Sequence, residues 1–313
     1  MSSLGEKFTR SWRLFVNSCQ IIGRQPKLLL FPLVTFLCTV VIVLFFLAPA
    51  ALFPTGHALN QPEHWKVAVH RFVAFKPAVS TTYSHTQHGS LTGVGYVYVV
   101  VLYLTSMFLA TFFNVAFYHE IIKALAGGQV SLRAGLRFAC SRLRAILLWS
   151  LFAGVVGLII KTLEDRFGWV GRRVMRLVGM VWSVASVFVI PVIVQEGNAN
   201  PIALLRSSAA TLKKTWGESL IGYVGITFGS WIVVLGSLVL LLVPGLPLAW
   251  FYNPMILFAG GVIWLVAIFV YSYLVGVAGR IYRGALYVYA TEGVVPAPFT
   301  AELMDAAWKV RKH

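Results

Sequence analysis

The chain alternates long apolar runs with short basic segments in which apolar residues recur every three or four positions. Between Glu218 and Arg280 there is no charged residue, and Pro244-Gly-Leu-Pro247 and Asn253-Pro254 punctuate that stretch. Two apolar runs joined by a proline-rich turn predict a transmembrane hairpin, because water could not solvate so much apolar surface and helices satisfy their own backbone in lipid. The same pattern upstream extends the prediction to six spans, at 28–53, 94–122, 145–163, 177–195, 219–243 and 255–279. The third is short: its uncharged part, 145–160, would rise about 24 Å against an apolar core of about 30 Å. A full crossing then requires Lys161 to snorkel, and the alternative is a shallow re-entrant pair of spans three and four.

A basic amphipathic segment precedes each odd-numbered span. Before the first, Phe8, Trp12, Phe15, Val16, Cys19 and Ile22 share a helical face opposite Arg10, Arg13 and Asn17. Before the third, Leu132, Leu136, Ala139, Cys140 and Leu143 lie opposite Arg133, Arg137, Ser141 and Arg144. Before the fifth, Ile202, Leu205, Ala209, Leu212 and Trp216 lie opposite Arg206 and Lys213. Such helices suit the membrane interface.

The expected fold class is therefore all-α: one integral membrane domain, 1–313, of six transmembrane helices in three hairpins, each preceded by an interfacial helix. The units are 5–125 with an outer loop at 54–92, then 131–196, then 201–290, with a docked C-terminal helix at 299–313. Basic connectors also occur without any repeat, and that alternative stays open. A further helix at 163–177 is expected to lie along the outer interface on Leu163, Phe167, Val170, Val174 and Leu177. For the C-terminal helix, Thr300 suits the N-cap, and Phe299 can staple onto Met304.

Composition agrees with a membrane chain, at 58% hydrophobic and 12% charged residues. The net charge of +16 could suggest nucleic acid. Lys and Arg instead cluster beside the apolar runs, where anionic headgroups would meet them, so the expected partners are membrane lipids and no nucleic acid. With both termini in the cytoplasm, eighteen of the 26 Lys and Arg residues fall inside, following the positive-inside tendency. The cluster from Lys161 to Arg176 is the discordant element. The expected location is the bacterial inner membrane. The run 28–53 exceeds a signal-peptide apolar region of roughly 7–15 residues, so it is expected to be retained. Cys19, Cys38 and Cys140 lack a metal-ligand spacing and are expected to be reduced thiols.

Candidate chemistry is sparse. His57, His64, His70, His85 and His88 crowd the outer loop, and His85 and His88 have a His-x-x-His spacing that suits zinc or copper. Only Glu63 accompanies them, so a solvated loop is the preferred reading and no metal or cofactor is expected. The inner ends of the even-numbered spans carry His119 with Glu120, Gln195 with Glu196, and Arg280 with Arg283. A glutamate near a helix C-terminus opposes the dipole unless paired, so Glu120, Glu196 and Arg280 are expected to clamp the hairpins together, in preference to a proton-linked or substrate-binding cluster. Asn114 reads as an intramembrane hydrogen-bonding amide. Ala153-x-x-x-Gly157 and Gly225-x-x-x-Gly229 permit close helix approach within the chain. Glu164-Asp165 is expected to be salt-bridged. No phosphate loop, nucleophile elbow or His-Glu-x-x-His run is present, so no catalytic residue is assigned.

Several segments resemble a bacterial family of integral membrane proteins with a domain of unknown function. They are Ser11-Trp12, Leu28 to Pro32, Phe113-Asn114, Gly127-Gly128, Pro191 to Gly197 through Pro201 and Arg206-Ser207, Lys214 to Gly217, and Ile281-Tyr282 through Tyr289-Ala290. They spread across nearly the whole chain. The Pro191–Ser207 part is also similar to the membrane portion of some glycerophosphodiester phosphodiesterases, whose catalytic barrel has no counterpart here. The resemblance implies six spans and supplies no activity. The expectation is a non-enzymatic inner-membrane protein that scaffolds lipids or a partner, with Arg137, Arg206 and Lys213 as headgroup contacts. A homo-oligomer or another membrane protein is a possible partner. The alternative is a transporter or channel for a lipid or small amphiphile.

Overall fold

The computed structural model describes residues 4–70, 73–75, 89–215, 233–247 and 254–300. Helices α1 (Leu4–Arg24), α2 (Leu30–Ala51) and α3 (Pro62–His70) come first, with a 3-10 turn, Pro26–Leu29, between α1 and α2. Strands β1 (Val73–Phe75) and β2 (Gly89–Leu91) follow, then α4 (Gly93–Leu125), α5 (Leu132–Ser141), α6 (Leu143–Arg166), α7 (Trp169–Ala185), α8 (Val189–Glu196) and α9 (Pro201–Thr215). Among the described residues the last two are α10 (Val233–Pro247) and α11 (Pro254–Glu292). The fold is all-α apart from the antiparallel β1–β2 ribbon, in which Val73 pairs with Leu91.

Among the described residues, five helical segments are long and apolar enough to cross a membrane: Pro26–Ala51, Gly93–Leu125, Leu143–Arg166, Gly171–Glu196 and Leu257–Glu292. The predicted third span is continuous for 24 residues, about 36 Å, so it has the length that its uncharged part lacked. Residues 219–232 of the predicted fifth span, with Gly225 and Gly229, lie outside the described residues, as do His85, His88 and 301–313.

Local chemistry sets the boundaries. Thr92 caps α4, its Oγ1 accepting from the Gly95 N–H at 3.1 Å, and Ser131 caps α5 by accepting from Ala134 at 3.5 Å. Asn200 accepts from Ile202 at 3.0 Å and stands before Pro201, a residue pre-set for the first helical position. Gly127, Gly197 and Gly293 take positive φ where α4, α8 and α11 end. Pro191 explains the interruption between α7 and α8. Its ring and missing N–H disrupt the preceding turn, so Ser186–Phe188 leave the helical ladder.

The expected outer helix at 163–177 does not form as one element. Residues 163–166 finish α6, Phe167 and Gly168 are extended, and α7 begins at Trp169. Gly171 makes the turn compact: a Cβ there would lie 2.4 Å from that of Phe167. The segment is the tip of an α6–α7 helical pair, closed by a ladder in which Lys161 binds Asp165 at 3.0 Å and Arg176 binds Glu164 at 3.3 Å. The expected salt-bridged carboxylates are these.

Packing is concentrated at one end, called the base here. There α5 packs on α4, α9 on α8 and α1 on α11. The spans α4, α8 and α11 meet in a centre filled by fully buried Ile121, Phe188, Ile193, Ile281, Tyr282 and Tyr287. The contacts of the connecting helices use small residues. Gly135 of α5 lies against α4, where a Cβ would come within 2.9 Å of the Ala116 carbonyl and the Phe31 ring. Ser208 of α9 and Ser18 of α1 are fully buried. The expected apolar stripes divide: Trp12, Val16, Cys140, Leu143 and Ile202 are exposed, while Ile22, Ala139 and Leu212 are buried, as are Leu14, Ser18, Leu204, Ser208 and Thr211 beside them. Away from the base, most side chains of α2, α10 and the first half of α11 are exposed despite being apolar, a surface suited to lipid and not to water. Ala153 and Gly157 face α4, since Cβ atoms at Gly154 and Gly157 would meet Leu104 and Tyr103 at 2.8 and 2.7 Å. The pair therefore serves packing within the chain.

Candidate functional site

Glu120 is fully buried one and a half turns before the end of α4. Its Oε2 accepts a 2.7 Å hydrogen bond from the Ser131 N–H, and the Lys123 ammonium lies 3.8 Å away. The carboxylate thus escapes the unfavourable end of its own helix by serving the positive end of the next one. A charge-assisted bond of this kind contributes about 1.5–3 kcal/mol. Gln25, between α1 and the 3-10 turn, holds the same loop, with its amide donating to the Gly128 carbonyl and accepting from the Val130 N–H, both at 3.4 Å.

The other oxygen of Glu120 lies 3.8 Å from His119 Nε2. His119 stacks on Phe138 of α5 with centroids 3.8 Å apart, and the Arg142 guanidinium lies 5.4 Å from that ring. Arg142 also covers Gly197 so closely that a Cβ there would be 2.0 Å from a guanidinium nitrogen. The cation therefore stands at the C-terminal end of α8, where the helix dipole favours it.

Glu196 ends α8, and its Oε2 accepts from the Ser207 hydroxyl of α9 at 3.0 Å. Glu120 and Glu196 each fasten a partner eleven residues further along the chain. Gln195 donates to Glu292 at 2.8 Å, tying α8 to the end of α11. Arg280 enters the same base region through Phe117, 5.7 Å from its ring, and Phe117 stacks on Phe31 with centroids 5.3 Å apart. Arg283 donates to the Gly279 carbonyl at 3.4 Å, one turn before it on α11. Tyr273 donates to the Leu29 carbonyl and so joins α11 to the 3-10 turn. Asn114 is half-buried on α4, one turn before Tyr118.

Sequence reasoning missed Ser208. Its hydroxyl accepts from the Phe188 N–H at 3.1 Å and donates to the Ala185 carbonyl at 2.6 Å. One side chain thereby replaces ladder bonds lost at the α7–α8 break, where unpaired backbone would be costly in lipid. The signal was available as the small polar residues Ser208 and Thr211, in line with Leu204 at helical spacing. Ser131 was likewise legible as a cap before a periodic run, whereas nothing in sequence points from Arg142 to Gly197.

The outward face of the base carries exposed Arg13, Arg24, Lys27, Arg133, Arg137, Arg144, Arg206 and Lys213. Trp12, Leu143 and Ile202 are exposed on the same helices. His64 lies apart on α3, its Nδ1 2.7 Å from the Thr55 hydroxyl. No group of three His, Cys, Asp or Glu that could hold a metal occurs among the described residues. Cys19, Cys38 and Cys140 are free thiols, and burial pushes the Cys19 thiol up.

These features define a helical protein with membrane-type spans and a polar, clamped base. The chain belongs to the family of unknown function DUF6159, whose model matches residues 93–296. That match begins at α4 and so is narrower than the end-to-end resemblance expected from sequence, leaving out α1, α2 and the loop after them. No curated protein and no solved structure matches the chain.

Proposed function

We propose that this is a non-enzymatic inner-membrane protein whose base gathers anionic lipid headgroups and so acts as a membrane scaffold. In this reading it has six spans in three hairpins, with the base and both termini in the cytoplasm. The observation that carries the proposal is the display of cations around a filled centre. Arg137, Arg206 and Lys213 point away from buried faces of α5 and α9, while Ile121, Ile193 and Ile281 fill the middle. A cation beside exposed apolar side chains meets a phosphate and acyl chains together.

The threefold reading draws support from three equivalent joints. Each of α5, α9 and α1 packs on an even-numbered span and buries a small residue, and α4, α8 and α11 each end at a left-handed glycine. Glu196-Gly197 and Glu292-Gly293 repeat the same exit. The transporter alternative draws on the interrupted α7–α8 span, a feature that carriers use to line sites. Here Ser208 already occupies the freed backbone groups, which favours the scaffold.

The test is native mass spectrometry of the purified protein with phosphatidylglycerol or phosphatidylcholine. The wild type is expected to retain phosphatidylglycerol preferentially, and R137Q/R206Q/K213Q to lose most of that preference. Equal retention of the two lipids by the wild type would overturn the proposal.

A further inference from the structure

The basic cluster that disobeys the positive-inside tendency lies at the turn between α6 and α7, at the far end of α6 from the base. Its two carboxylates are already engaged, Asp165 by Lys161 at 3.0 Å and Glu164 by Arg176 at 3.3 Å and Lys161 at 3.8 Å. No described carboxylate pairs with Arg166 or Arg172, and both are exposed. Arg173 is held 4.1 Å over the Trp169 ring. Around these cations Trp169 is 67% exposed and Phe167 49%.

We infer that this tip binds the phosphate of an anionic phospholipid in the leaflet opposite the base, with Arg166 and Arg172 on the phosphate and Trp169 and Phe167 against the glycerol and upper acyl chains. Charge complementarity selects an anion, since five cations face two neutralised carboxylates. The aromatic pair selects an amphiphile over a soluble acidic protein, because Trp at the end of a span settles at headgroup depth beside snorkelling cations. Gly171 fixes the geometry by letting Phe167 fold onto the first turn of α7. The local excess of arginine on this side is thereby a binding feature and not an orientation signal. The inference is independent of lipid binding at the base, because α6 separates the two ends by about 36 Å.

The experiment compares R166Q/R172Q with the wild type and with R137Q/R206Q/K213Q, reading phosphatidylglycerol affinity of the detergent-solubilised full chain by native mass spectrometry. Each arginine near an anionic surface is worth about five-fold in affinity, so the double variant is expected to weaken the tip-bound lipid about twenty-five-fold. R166K/R172K is expected to keep most of the binding, which separates charge from folding. If the Gln variant cannot be purified, D165N, which leaves Lys161 only its 3.8 Å contact with Glu164, is expected to tighten binding. Unchanged affinity in R166Q/R172Q, or in D165N where that variant is the one measured, would overturn the inference. Displacement of the lipid by millimolar inorganic phosphate would overturn it in favour of a soluble anion. Loss of binding in the tip variant with none in the base variant would uphold the tip and sink the base.

Discussion

Helix α4 is two environments in one element. From Thr111 to Leu125 it is largely buried and carries Glu120, Phe117 and the joints to α5, α8 and α11. From Val94 to Val101 it shows most of its apolar side chains to the outside. The same division runs through α11, which is buried from Val277 to Val288 and exposed from Met255 to Val270. The base is held as a soluble core is held, by interlocked shapes and by hydrogen bonds such as those of Glu120 Oε2, Gln25 and Ser208. The distal halves carry an apolar surface suited to lipid, in which an apolar side chain would gain little by meeting another helix.

The largest break in that contrast is expected from glycines. G135L would drive a side chain into Ala116 and Phe31 and separate α5 from α4, costing about 1–3 kcal/mol or more as overpacking. G261L on α11 has nothing within 4 Å and should leave melting unchanged. Thermal unfolding in detergent compares the two, and equal losses would mean that the base is not the better packed end. Glu120→Ala, which orphans the Ser131 N–H, should cost about 2–3 kcal/mol, with Glu120→Gln milder because an acceptor remains. Ser208→Ala is next, at about 1–2 kcal/mol, since it unpairs Phe188 and Ala185 at the break. Hydrogen exchange at residues 186–189 should rise in that variant, and an unaltered rate would show that the break needs no staple. The smallest effect is expected in the distal half, where Phe45→Ala removes a 71% exposed ring and should shift stability by under about 0.5 kcal/mol.

A chemical probe sharpens the same comparison. Cys140 is exposed at the base, while Cys19 is half-buried with its thiol pushed up. An impermeant maleimide should label Cys140 quickly in inverted membranes and not in sealed cells, if the base is cytoplasmic. Labelling from the outside would reverse the proposed orientation.

Hydrophobic pattern located the long helices and the amphipathic segments because backbone satisfaction in lipid admits little else. It did not show which residues of those segments meet protein. On α1 Trp12 and Val16 face outward while Ser18 is buried, and on α9 Ser208 is buried; both serines are small residues of the kind that let membrane helices approach. The outer helix expected at 163–177 is divided between α6 and α7 because extended Phe167 and Gly168 interrupt a periodicity that continues on either side. The glutamates at the inner ends were legible as needing partners. Which partners they took was not, since Ser131 and Ser207 come within reach only once α5 and α9 have docked.

The central claim is a filled base surrounded by lipid headgroups. A cryo-EM structure in native-lipid nanodiscs tests it most directly. The account predicts a closed centre around Ile121, Ile193 and Ile281, with headgroup density beside Arg137, Arg206 and Lys213. A continuous cavity reaching Glu120, Glu196 and Arg280, with ligand density inside it, would contradict the scaffold and establish a transport path.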